Sequence, residues 1–180
     1  MNLLRKLSRG LGLEARLPTI NAGNHAPDFS LKSLDGATHP LNSELKRGSV
    51  VLAFFKISCP VCQFTFPYLQ RLYERYRGDG VIFLGVSQDD AKDTEQFNKE
   101  FGVTFTTLLD GPGYSASHAY GLTSVPTIFL IDPDGTVTVS CMGFSKNDLE
   151  QIANELAQRR HIAAAPLFKP AENVPAFKPG

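Results

Sequence analysis

Two cysteines three positions apart, in Cys59-Pro60-Val61-Cys62, are the residues of this chain best suited to chemistry. Two thiols at that spacing can close into a disulfide and reopen, so that each cycle moves two electrons. The same spacing also supplies two of the four ligands of a tetrahedral zinc ion. The other half of such a site is hard to find, because the chain holds no second CxxC and no paired histidines. There is only Cys141, with His25, His39, His118 and His161 scattered along the sequence. A third reading is a pair of ordinary buried cysteines.

Position in the chain separates these readings. The run Ser49 to Phe55 reads as a buried strand of β-branched and aromatic residues. Directly after it, Val61, Phe64, Tyr68, Leu69, Leu72, Tyr73 and Tyr76 recur at spacings of three and four, which predicts an amphipathic helix over about 60–77. Pro60, with its preset φ and missing N–H, suits the first helical position and so puts Cys59 at the N-cap. There the sulfur faces the unpaired amides of the first turn and the positive end of the helix dipole, an environment that favours a thiolate. Cys59 is therefore the expected nucleophile. Cys62, one turn deeper on the same face, is the expected resolving thiol, able to attack a mixed disulfide formed at Cys59.

The elements that would position this pair alternate. A short hairpin is expected over Phe29 to Ala37, then the strand before Cys59, the long helix interrupted by a kink at Pro67, and a second buried strand at Val81 to Val86. A helix from Ala91 to Phe101 closed by Gly102 follows, and a short helix near Tyr114 to Tyr120. A strand from Val125 to Ile131 turns through Asp132-Pro133-Asp134-Gly135 into a hairpin ending near Cys141. The last helix is capped by Ser145 and runs to about Arg160. The order βαβα then ββα calls for an α/β fold with a central mixed sheet and helices on both faces.

At 180 residues the chain accommodates one core-bearing domain, read here as 26–160, with an N-terminal arm at 1–25 and a proline-rich tail at 161–180. The 18 basic and 18 acidic side chains cancel, so no global field recommends nucleic acid or an anionic membrane. The longest apolar run, Val50 to Phe55, falls far short of the roughly 20 residues that span a bilayer. Arg5, Lys6 and Arg9 interrupt the leucines that would form a secretory leader, and a cytoplasmic monomer is the expectation. Leu3, Leu4, Leu7 and Leu11 could line an amphipathic helix touching a membrane; Gly10 and Gly12 favour a frayed or packed arm instead. In the tail, Pro166-Leu167-Phe168-Lys169-Pro170 is echoed by Pro175-Ala176-Phe177-Lys178-Pro179, an extended polyproline-like segment either solvated or docked through Phe168 and Phe177.

With these motifs in view, the stretch from Ala26 to about Arg160 resembles the thioredoxin fold in its redoxin branch, the TlpA and ResA-like thiol-disulfide oxidoreductases related to the AhpC/TSA peroxiredoxins. Ala26-Pro27-Asp28-Phe29 with Leu34-Asp35-Gly36 resembles the entry hairpin of that branch. Phe54-Phe55 leads to the CxxC, and Pro67 stands five residues after Cys62 as in the family. Val125-Pro126-Thr127 resembles the cis-proline loop that lies beside the active cysteines, which implies a substrate-positioning role for Val125 and Pro126 and a cis bond between them. Three positions depart from the pattern. Ser58 stands where a tryptophan precedes the first cysteine, Pro60-Val61 replaces Gly-Pro between the cysteines, and Asp89 is the nearest equivalent of the buried glutamate of ResA-like proteins.

Asp89 is thus a candidate proton shuttle for Cys62, or a residue at a helix start where acids complement the dipole. Lys56 either supports the thiolate or is an exposed strand-end lysine. Cys141, in an expected edge strand, is a small core or half-exposed residue, or else a regulatory thiol. Phe64 and Phe144 read as core rather than substrate platform. The expected reaction is disulfide exchange with a disulfide-bearing protein or small molecule, the dithiol being restored by a reductant such as a thioredoxin system. No cofactor is expected beyond the redox-active disulfide Cys59–Cys62, and no metal. The rival enzyme is a thiol peroxidase, but its PxxxTxxC motif is unmet: Lys56 holds the threonine position relative to Cys59, and Cys59 holds it relative to Cys62. A non-catalytic binding module or metallochaperone on the same fold is the third reading; copper-delivering relatives use CxxxC and a histidine, which this chain lacks.

Overall fold

The computed structural model describes residues 18–78 and 80–180. The helix considered at Leu3 to Leu11 lies outside the described residues. The elements run β1 (Ser30–Ser33), β2 (Thr38–Pro40), α1 (Leu41–Leu45), β3 (Gly48–Phe55), α2 (Pro60–Tyr76), β4 (Gly80–Ser87) and α3 (Ala91–Phe101). They continue β5 (Thr106–Leu109), α4 (Ser115–Ala119), β6 (Thr127–Ile131), β7 (Val137–Met142), β8 (Phe144–Ser145), α5 (Lys146–Arg159) and β9 (Phe177–Lys178). Seven strands form one mixed sheet in the order β2-β1-β5-β4-β3-β6-β7, with β8 and β9 as a separate pair. This is the thioredoxin-like α/β fold.

The central strand shows why the sheet carries helices on both faces. Side chains of a strand alternate between faces, and β3 is apolar at nearly every position because both of its faces are covered. Val51, Ala53 and Phe55 pack with Phe66, Leu69, Leu72 and Tyr76 of α2, Phe97 of α3, and Leu149, Ile152 and Leu156 of α5. Val50, Leu52 and Phe54 face the other way, onto Leu41 and Leu45 of α1 and onto Ala116 and Tyr120 around α4.

Pairing register then collects three chain segments at one rim. β3 and β4 are parallel with Phe55 opposite Ser87, so both strands end together. β6 is antiparallel to β3 with Thr127 opposite Phe54, so it begins where β3 ends. The loop before α2, the loop after β4 and the loop before β6 therefore meet at the carboxyl ends of the parallel strands, where open α/β sheets bind their ligands.

Several expectations need correction. β5, inserted between β4 and β1, was not expected, since four residues flanked by irregular chain give no readable period. The five-residue α1 is likewise new. β6 starts at Thr127, leaving Val125 and Pro126 as loop. The helix expected over about 60–77 is present as Pro60–Tyr76 with Pro67 inside it. The tail is docked: Leu167 and Phe168 are buried, and Phe177–Lys178 pairs with Phe144–Ser145, although the Phe177 ring itself is exposed.

Candidate active site at the start of α2

Cys59 is the N-cap of α2 in extended backbone, with Pro60 opening the helix. Its sulfur accepts the Cys62 N–H at 3.3 Å, the cap interaction that a serine or aspartate oxygen makes elsewhere, and the thiol donates to the Val125 carbonyl at 3.2 Å. The Val125–Pro126 bond is cis. The loop ahead of the helix is held by main chain, the Cys59 N–H donating to the Lys56 carbonyl at 3.1 Å. The Lys56, Ser58 and Pro60 side chains are exposed, and Val61 is half-buried against the core.

The two thiols of the motif live in different surroundings. Cys59 is partly exposed, whereas Cys62 is fully buried. Burial pushes the Cys62 thiol well above its ordinary range. A main-chain hydrogen bond with Lys56 opposes that rise, and the neighbouring Cys59 and the Asp89 carboxylate add to it.

Asp89 faces the motif. Its Oδ2 accepts the Ile57 N–H at 2.7 Å, and the cap of α3 is its neighbour Asp90, which accepts the Asp93 N–H. The side chain that caps α3 is therefore that of Asp90, not Asp89. Its own N–H donates to Ser87 Oγ, which is itself hydrogen-bonded to Thr94, so the carboxylate hangs from a buried polar pair at the end of β4. One member of the site escaped the sequence reading. Gln63 donates from Nε2 to the Ile57 carbonyl at 2.9 Å, so Ile57 is held through its N–H by Asp89 and through its carbonyl by Gln63. A glutamine on the first turn of a helix carries no signal by which sequence alone could single it out.

Cys141 stands elsewhere. It is fully buried in β7, with its thiol near the Gly143 carbonyl and pushed up to about 12, first by burial. Phe144 is buried core, and Phe64 packs against it with ring centroids 5.0 Å apart. Among the described residues no group of three or more histidine, cysteine or acidic side chains is placed to hold a metal, and no helix is long and apolar enough to cross a membrane.

A half-exposed thiol capping a helix over a buried partner thiol is a geometry for two-electron sulfur exchange. Comparison with known proteins agrees. Residues 22–140 match the AhpC/TSA family. The chain belongs to that family. Among its relatives, the thiol-disulfide oxidoreductase ResA of Geobacillus thermodenitrificans is 36% identical over 134 residues, which is 73% of this chain and 76% of that protein. ResA of Bacillus subtilis is 34% identical over 120 residues, 66% of each. A solved structure assigned as the thiol:disulfide interchange protein DsbE of Chlorobium tepidum superposes with a TM-score of 0.69 at 28% identity, covering 78% of this chain and 99% of that one. This AhpC/TSA-family protein is accordingly a thiol-disulfide oxidoreductase.

Proposed function

We propose that the protein exchanges disulfides through Cys59 as nucleophile and Cys62 as resolving thiol, with Val125 and Pro126 bounding the place where substrate lies and Asp89 handling the Cys62 proton. The observation that carries this reading is the asymmetry of the pair: the partly exposed Cys59 receives the helix's first-turn N–H on its sulfur, and the other thiol is buried directly behind it.

The Cys59 sulfur, as thiolate, attacks one sulfur of a substrate disulfide; that S–S bond breaks, a Cys59 mixed disulfide forms and the first substrate thiolate leaves. Negative charge on Cys59 in the approach is stabilised by the Cys62 N–H and the start of α2. Cys62 then gives up its proton, and the Cys62 thiolate attacks the Cys59 sulfur. A Cys59–Cys62 disulfide forms and the second substrate thiolate leaves, so the substrate gains two electrons and the protein dithiol loses them. Burial keeps Cys62 protonated until this step; Asp89, whose carboxylate adds to the rise and holds the Ile57 N–H just ahead of the motif, is the acid we assign to receive its proton. A dithiol reductant such as a thioredoxin system reverses the sequence and restores the free thiols. The substrates are disulfides of proteins or small molecules.

The test is a paired assay of wild type and Cys59→Ser: insulin reduction with dithiothreitol as donor, and consumption of hydrogen peroxide. Loss of insulin reduction in Cys59→Ser, with slow peroxide consumption by wild type, is expected. Rapid peroxide turnover with insulin untouched would give the site to peroxide chemistry instead.

A further inference from the structure

The tail that follows α5 does not wander from the domain; it comes back to the candidate site. Leu167 and Phe168 are buried, with the Phe168 ring 4.9 Å from Tyr68 and 5.8 Å from Phe144, and their N–H groups donate to the Glu150 carboxylate. Arg71 of α2 holds Glu172 through two N–H···O bonds of 2.6 and 2.9 Å and also reaches the Leu167 carbonyl. Val174 packs on the core beside these anchors.

Beyond Val174 the hold is much lighter. The Lys146 N–H donates to the Ala176 carbonyl, β9 adds a two-residue pair with β8, and the Lys178 ammonium stands 4.8 Å from the Phe64 ring centre. The Phe177 side chain is 57% exposed, so apolar burial contributes little there.

Where this lightly held end arrives is the informative point. A Cβ on Gly180 would stand 2.7 Å from the Val125 carbonyl oxygen and 3.1 Å from Ser124 Oγ. Gly180 therefore lies on the same carbonyl that receives the Cys59 thiol. The domain side is shaped to match: Gly143, at φ +72°, presents no side chain to the tail, and a Cβ there would come within 2.8 Å of the Gly180 nitrogen. On the other flank Ser58 and Pro60 are exposed and Cys59 itself is partly exposed.

We propose that residues 175–180 form a strap over the Val125 ledge that sets the substrate class, admitting small disulfides from the Ser58 side and requiring extended polypeptides to displace it. The inference rests on Cys59 being the attacking thiol, and it adds a specificity element made by the chain itself. A segment held by a two-residue strand pair, the Lys146–Ala176 main-chain bond and the Lys178–Phe64 contact opens locally without unfolding the domain. A polypeptide that needs the open form therefore binds more weakly by the fraction of molecules that are open, whereas a small disulfide carries no such penalty.

Full-length Gly180→Val tests this, because its side chain must leave Val125 while every buried anchor of the tail remains. Two readouts are compared with wild type. The first is labelling of Cys59 by a polyethylene-glycol maleimide and by iodoacetamide, the labelled peptide being identified by mass. The second is the ratio of kcat/KM for insulin to that for the small disulfide DTNB. The strap predicts a rise of about tenfold in the bulky-label rate and in the insulin/DTNB ratio, with iodoacetamide labelling and DTNB turnover nearly unchanged. Unchanged bulky labelling and an unchanged ratio overturn the strap. If labelling changes as predicted while neither disulfide is turned over by either protein, the strap stands as a cover of Cys59 and the proposed function fails.

Discussion

Cys62 and Cys141 are matched in burial and differ in company. Each is fully buried, and burial is the leading cause that raises each thiol. Around Cys62 stand a half-exposed sulfur whose cap bond comes from Cys62 itself, an acid suspended from the end of β4, and a helix start. Around Cys141 are the end of an edge strand, the Gly143 carbonyl and the carboxylate of Asp148, with no second thiol placed to trade sulfur with it. The contrast teaches that burial alone stores a proton on sulfur. Only a reachable partner sulfur and a nearby proton acceptor turn that stored proton into a step of a reaction.

Cys62→Ser draws the contrast most sharply. It should stop turnover after the first attack and leave a stable mixed disulfide on Cys59, visible as a substrate adduct in intact-mass spectra; an adduct-free variant still turning over would remove Cys62 from the reaction. Asp89→Asn keeps an oxygen that can hold the Ile57 N–H and removes the charge. It should slow the resolving step roughly 10²-fold and flatten its pH profile, with recovery in Asp89→Glu. A merely structural Asp89 would leave the pH profile in place.

The shared burial has a shared consequence for stability. Below the ordinary thiol pKa the folded and unfolded chains both hold these two protons. Above it the unfolded chain releases them while the folded chain keeps them, so stability falls as pH rises. The loss is about 1.4 kcal/mol per pH unit for each buried thiol. Thermal melts of the reduced protein between pH 8 and 11 should show this decline, steepened above about pH 10 by the buried Tyr120 hydroxyl, which burial likewise raises; below that point Cys141→Ala should roughly halve the slope. The smallest effect belongs to Cys141→Ala at neutral pH: about 1 kcal/mol of stability, with disulfide exchange at the wild-type rate. A large activity loss in that variant would erase the distinction between the two thiols.

Much of the site could be read before any coordinates. Cys59 at a helix start followed from Pro60 and the apolar periods on either side, because both signals are local. The cis bond at Pro126 was expected only through resemblance, since nothing in Val125-Pro126-Thr127 itself distinguishes it from a proline opening a strand. β5 and α1 were missed because four or five residues are shorter than a period can reveal, and β5 is in addition held by β1 and β4, which lie well before it in sequence. Asp89 and Asp90 are chemically alike and adjacent; which one caps α3 and which one faces Cys62 is decided by where β4 ends.

By itself the sequence determined the two central strands, the long helices and the placement of Cys59 at the start of α2 with Cys62 one turn further on, all of which depend on residues within one or two helical turns. Tertiary structure alone decided that Val125, Asp89 and Gly180 share a rim with those cysteines. Their meeting depends on strand registers and on a tail that returns to α2, and those are set by contacts between residues 32 to 101 positions apart.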